Sequence, residues 1–224
     1  MPREKYQERL AQLRTDVVEM ATLVLDRYEL AIRAYEESDD SLAAEVVDGD
    51  DDVNELYLEL EGDCIELLAL QQPVAADLRF VAASFKILTD LERIADLATN
   101  LAGYARDGGG EFRQEVSLGK LADAAGEMVR DAVEAYESGD VDACREVVRR
   151  DDELDAACGA ASDRVLTALI EGEACEDGTL PGNVLEGVST ALLTIRDVER
   201  VGDHAVNVAA RTLYMVENDD ELIY

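Results

Sequence analysis

Apolar residues recur along this chain at intervals of three and four, and no stretch alternates as a half-buried strand would, so the pattern predicts helices from end to end. Leu88, Leu91, Ala95, Ala98 and Ala102 fall on one side of such a helix, with Phe85, Ile94 and Leu101 beside them. Leu192, Ile195, Val198, Gly202, Ala205 and Ala209 form a similar stripe. Helix breakers are scarce: proline occurs only at positions 2, 73 and 181, among dense Ala, Leu, Glu and Arg. Turn-forming clusters at Glu37-Ser38-Asp39-Asp40, Gln71-Gln72-Pro73, Asp107-Gly108-Gly109-Gly110, Ser138-Gly139-Asp140 and 171–183 divide the chain. They delimit six helices, at roughly 4–37, 40–70, 74–106, 111–138, 140–171 and 182–218. Pro73 and Pro181 stand where the third and sixth begin, a position at which proline is tolerated.

The helices come in two sets. Ala34-Tyr35-Glu36-Glu37-Ser38-Asp39 recurs as Ala135-Tyr136-Glu137-Ser138-Gly139-Asp140, Glu45-Val46-Val47 as Glu146-Val147-Val148, and Asp50-Asp51 as Asp151-Asp152, all at an offset of 101. The segment 90–100, DLERIADLATN, recurs as 197–207, DVERVGDHAVN, at an offset of 107, so six extra residues lie in the glycine-rich stretch before the last helix. The expected architecture is all-α: a tandem repeat of two three-helix bundles, six long antiparallel helices, with units at 1–107 and 111–224 joined near Gly108-Gly109-Gly110.

Charge narrows the function. Asp and Glu number 52 against 20 Lys and Arg, a net charge of −32. That excess repels a phosphate backbone and an anionic membrane surface, which sets aside nucleic-acid binding and membrane docking. No apolar run approaches the roughly 20 residues of a membrane span, and the start Met1-Pro2-Arg3-Glu4 carries no apolar signal segment, so the chain is read as cytoplasmic. Only Lys5, Lys86 and Lys120 are lysines, the other cations being arginine. An acidic, lysine-poor surface suits molar salt, as in a halophilic archaeon, because at about 1 M the screening length falls to roughly 3 Å. A melting temperature that climbs steeply with added KCl is the expected consequence. The cysteines at 64, 144, 158 and 175 lack CxxC spacing and read as reduced structural thiols.

The duplicated block holds the candidate chemistry. Glu92, Asp96 and Asn100 fall at i, i+4 and i+8 immediately beside the apolar stripe, and Glu199, Asp203 and Asn207 repeat the row. Two carboxylates one turn apart repel by a few tenths of a kcal/mol. A cation between them, a bridging arginine such as Arg93 or Arg200, or simple solvation would each accommodate the pair. Oxygen donors of this kind suit hard ions such as magnesium, manganese, calcium or iron. The runs 48–52 and 151–153 read instead as solvated surface or helix N-terminal charge. His204 is the only histidine, lacks the Glu-x-x-His spacing of di-iron bundles, and stands opposite Leu97 in the first half, so it reads as a packing or hydrogen-bonding residue. No phosphate-cradling loop and no nucleophile elbow occur, so no catalytic residue is assigned.

In these blocks, and in Gln72-Pro73-Val74-Ala75-Ala76-Asp77-Leu78-Arg79, the chain resembles the PhoU family of phosphate-uptake regulators over essentially its whole length. The resemblance implies a cytoplasmic, non-enzymatic protein that binds metal ions through the acidic blocks, with iron, manganese, magnesium or zinc as candidates. It further implies a homodimer that restrains the phosphate ABC transporter through its ATPase subunit and, in bacteria, a phosphate-sensing histidine kinase. Carried over by position, the metal residues are Glu92, Asp96, Asn100, Glu199, Asp203 and Asn207; Asp90 and Asp197 belong to the block but face elsewhere on the helix. Ala95 and Leu97 replace the Gly and His of the second block, so the halves are expected to differ in metal affinity. The competing function is a ferritin-like di-metal carboxylate oxidoreductase, for which one histidine is too few.

Overall fold

A computed structural model describes residues 3–70, 75–106, 117–172 and 182–222, and among them there is no strand. The helices are α1 (Arg3–Glu37), α2 (Asp40–Asp48), α3 (Asp50–Leu70), α4 (Ala75–Arg106), α5 (Leu118–Ser138), α6 (Val141–Gly172) and α7 (Gly182–Glu217). The repeat is visible in the turns. Asp39 caps α2 through bonds from the Ser41 and Leu42 amides, and Asp140 caps α6 through bonds of 3.0 Å from the Asp142 and Ala143 amides. Each cap follows a left-handed residue that ends the preceding helix, Ser38 at φ 55° and Gly139 at φ 73°.

The second expected helix is broken in two at Gly49, and the repeat itself supplies the reason. The Arg27 guanidinium of α1 occupies the space a Gly49 side chain would fill. It donates to the Val46 carbonyl at 3.5 Å and to Asp52 at 3.2 Å, binding both sides of the break. At an offset of 101, Met128 stands for Arg27 and Arg150 for Gly49. There the guanidinium runs the other way, from α6 to Glu127 and Asp131 of α5, and α6 continues unbroken. The fourth expected helix starts, within the described residues, at Leu118; 111–116 lie outside them, as does Cys175.

α4 and α7 lie at the centre. α4 packs on α1, α2 and α3, α7 packs on α5 and α6, and the two pack on each other, with a further α1–α5 contact. Hydrogen bonds from His204 to Asp90 and from Tyr104 to Asp197 pair low numbers on one helix with high numbers on the other, so α4 and α7 run antiparallel. One continuous apolar cluster spans both repeats, including the fully buried Leu91, Ile94, Leu101, Val198 and Val201. Cys64, Cys144 and Cys158 are buried free thiols within it. Among the described residues no helix is long and apolar enough to cross a membrane.

Candidate metal centre

The apolar stripes of α4 and α7 face this core, which turns the flanking acid rows to its rim. Glu92 and Glu199 are half-buried, while Asp96, Asn100, Asp203 and Asn207 are exposed. The rows do not stand alone, because the preceding helix of each repeat brings further carboxylates against them. In the first half the partner is Asp50, in the first turn of α3. Burial, then the charges of Asp96 and Asp50, hold the Glu92 carboxyl above its ordinary range, against the opposing pull of Arg93. Burial and Asp50 do the same to Asp96.

In the second half the partners are Asp151 and Asp155 of α6. Burial, followed by Asp155, Asp203, Asp152 and Glu199, pushes the Asp151 carboxyl up to about 6. Burial and Asp155 also raise Glu199 and Asp203. The Cys158 thiol, pushed up to about 12 by burial and by Glu199, Asp155 and Asp151, stays neutral beside them. The donors that carry charge are therefore oxygen alone.

The two clusters differ in one informative position. Each oxygen of Asp50 has a donor: its Oδ1 accepts from Thr99 Oγ1 at 3.1 Å and its Oδ2 from Asn54 Nδ2 at 3.0 Å. At the offset of 101, Asn54 becomes Asp155, so the second cluster exchanges a donor amide for a fourth carboxylate. The counterpart of Asp50, Asp151, keeps a buried Oδ1 with no hydrogen-bond partner among the described residues. A buried acceptor without a donor is costly unless something positive completes it. In donor type, in charge and in its unpaired oxygen the second cluster suits a hard cation better than the first. As oriented, no three His, Cys, Asp or Glu side chains among the described residues converge closely enough to chelate one ion.

Gly202 sets how closely α6 approaches. A Cβ there would stand 2.5 Å from Leu154 Cδ2 and 3.3 Å from Asp151 Oδ1. The first half makes the complementary choice, with Ala95 for Gly202 and the smaller Val53 for Leu154. Gly202→Ala is expected to cost about 1–3 kcal/mol of stability, and adding Leu154→Val should recover most of it. Denaturant midpoints of the single and double variants measure this, and equal losses in both would show that the contact does not set the spacing.

Other members of the block serve the helix pair. Asp90 Oδ1 lies 2.9 Å from His204 Nδ1 and accepts from Asn207 Nδ2 at 3.0 Å. Asp197, 3% exposed, accepts from the Tyr104 hydroxyl at 3.0 Å and stands 3.8 Å from Arg200. Burial and that hydrogen bond push Tyr104 up to about 12. Asn207 is thereby engaged with Asp90 across the α4–α7 contact, whereas Asn100 projects outward.

A family model for the PhoU domain matches residues 17–105 and 118–212, one match in each half of the duplication. The chain belongs to the PhoU family. It is 30% identical over 218 residues to the phosphate-specific transport system accessory protein PhoU of Serratia marcescens, covering 96% of this chain and 86% of that one. The crystal structure of PhoU from Pseudomonas aeruginosa superposes with a TM-score of 0.85 at 28% identity, covering 96% of this chain and all of that one. The phosphate transport system regulatory protein PhoU from Streptococcus pneumoniae shares the fold, with a TM-score of 0.85 at 21% identity and coverage of 96% and 98%. The two matched segments meet where α4 packs against α7.

Proposed function

We propose that this chain is a metal-binding regulator of phosphate uptake that restrains a phosphate ABC transporter by protein contact. Family membership supports the regulatory role, since relatives carry the description of accessory or regulatory proteins of phosphate transport. The metal reading rests on one observation above the others, the buried, unpartnered Asp151 Oδ1 amid Asp155, Glu199 and Asp203. These four residues would hold the ion in the second half, and Asp50, Glu92 and Asp96 a weaker one in the first. Iron, manganese, magnesium and zinc are the candidates. A bound cation would neutralise clustered carboxylates and tie α6 to α7, and α3 to α4, stiffening the surface a partner meets.

A di-metal oxidoreductase is disfavoured on the same geometry, because its histidine ligands have no counterpart here: the one histidine bonds Asp90. Two assays test the regulatory role. Deleting the gene should raise phosphate uptake in phosphate-rich medium, and the tagged chain should retain the transporter's ATPase subunit from cells lysed at native salt. Uptake unchanged by the deletion would contradict the proposal.

A further inference from the structure

α3 is apolar on two opposite sides. Val53, Leu60, Cys64 and Leu67 are buried in the core. On the far side Leu58 is 63% exposed and Ile65 55% exposed, in a row with Gly62 and Ala69. The row is spaced by four, three and four residues, which is the seam of a helix that packs along another helix. Among the described residues a side chain on Gly62 would meet nothing within 4 Å, so the groove beside the two large residues is open. At 100° per residue, Glu55, Glu59 and Glu66 line one edge of this row, and Glu61 and Leu68 the other.

We propose that this outer face of α3 docks a cationic amphipathic helix from another protein. Its apolar row would mesh with Leu58, Gly62, Ile65 and Ala69, and its Arg or Lys flanks would meet Glu55, Glu59 and Glu61. Charge selects the occupant. α3 carries eight Asp and Glu and no Lys or Arg. Arg9 pairs with Asp63 and Glu66, and Arg27 with Asp52, whereas Glu55, Glu59 and Glu61 have no ion-pair partner among the described residues. A second copy of α3 would oppose carboxylate to carboxylate along its whole length, and an anionic membrane is repelled for the same reason. A helix with cationic flanks gains on both edges while covering the leucine and isoleucine.

The duplication contains its own control. At the offset of 101, Leu58 becomes Gly159, Gly62 becomes Asp163, and Glu55, Glu59 and Glu61 become Ala156, Ala160 and Ser162. What remains on α6 is exposed Leu166 and Ile170, without an unbroken row and without the acidic edges. The docking face therefore belongs to the first half alone, and it stands whether or not the partner is part of a transporter.

The test uses the full chain in molar KCl and a labelled synthetic peptide of about six helical turns, with leucine along one face and arginine flanking it. A second peptide of identical composition has its leucines dispersed around the helix. Fluorescence anisotropy should show the ordered peptide binding the wild type and Leu166→Asp/Ile170→Asp alike. Leu58→Asp/Ile65→Asp and Glu55→Lys/Glu59→Lys/Glu61→Lys should each weaken it on the order of tenfold or more. Circular dichroism checks that these surface variants keep their helices. Equal binding of the two peptides, or affinity unchanged by Leu58→Asp/Ile65→Asp, overturns the proposal. So does sedimentation showing a wild-type dimer that Leu58→Asp/Ile65→Asp converts to monomer, which would assign the face to a second copy.

Discussion

Tyr136→Ala is expected to destabilise the protein by about 3–5 kcal/mol and to do so through both repeats at once. The residue is fully buried where α1, α4 and α5 meet. Its ring stacks on Phe80 with centroids 6.1 Å apart. Its hydroxyl lies 2.7 Å from Ser84 Oγ; the Ser84 proton is given to the Phe80 carbonyl at 2.9 Å, which makes Tyr136 the donor of the pair. The Arg14 guanidinium lies over both rings, 4.8 Å from Phe80 and 5.4 Å from Tyr136. It also donates to the Tyr136 and Glu137 carbonyls at 2.6 and 2.9 Å, closing the end of α5, where helical carbonyls lack partners. Tyr136→Phe removes only the hydroxyl bond and should cost about 1 kcal/mol. Denaturant unfolding at fixed KCl checks the pair: one cooperative transition, shifted strongly for alanine and slightly for phenylalanine. Two transitions, of which only one moves, would mean that the halves keep separate cores.

The second large effect is a fall in stability with rising pH when metal is absent. Asp151 binds its proton more tightly folded, at about 6, than unfolded, near the ordinary aspartate value of 3.8. Between those values the native state holds more protons than the unfolded one, so stability decreases as pH rises through the window and levels off above it. Glu92, Asp96, Glu199 and Asp203 are shifted in the same direction and add to the slope. A cation that binds only the native state restores stability at neutral pH, by about 2.7 kcal/mol at a hundred times its dissociation constant. Melting curves of chelated protein across this window, at constant KCl, should show the fall. Asp151→Asn should flatten it, and added divalent ion should cancel it above pH 6 for the wild type more than for the variant. A slope identical in wild type and Asp151→Asn would remove Asp151 from the cluster.

Most helices were legible because the interval of apolar residues is a local property. The break at Gly49 was not, because the glycine lies in an acidic run that reads as helix, and what ends the helix there is Arg27, contributed by a different helix. The acid rows of α4 and α7 were legible for the same reason as the stripes: they recur in register beside a core face. Asp50 and Asp151 lie in acidic runs that read as solvated charge, although they recur at the offset of 101 just as faithfully. Periodicity gives the face a side chain occupies on its own helix, but not which helix that face meets. Only packing shows that the first turn of α3 and the matching turn of α6 close on the acid rows. The recurrence of Asp50 and Asp151 at the offset of 101 is the mark in the sequence that sets them apart from other acids. The exchange of Asn54 for Asp155, which leaves the two clusters unequal, was written in the same alignment.

Paired carboxylate clusters, stronger in the second half, are tested most directly by metal stoichiometry, measured by mass spectrometry on protein purified without chelator. The expected result is bound metal in the wild type, a large loss in Asp151→Ala and in Glu199→Ala/Asp203→Ala, and a smaller loss in Asp50→Ala. Metal content unchanged by Glu199→Ala/Asp203→Ala, or a wild type that stays empty after exposure to iron, manganese, magnesium and zinc, would contradict the metal centre.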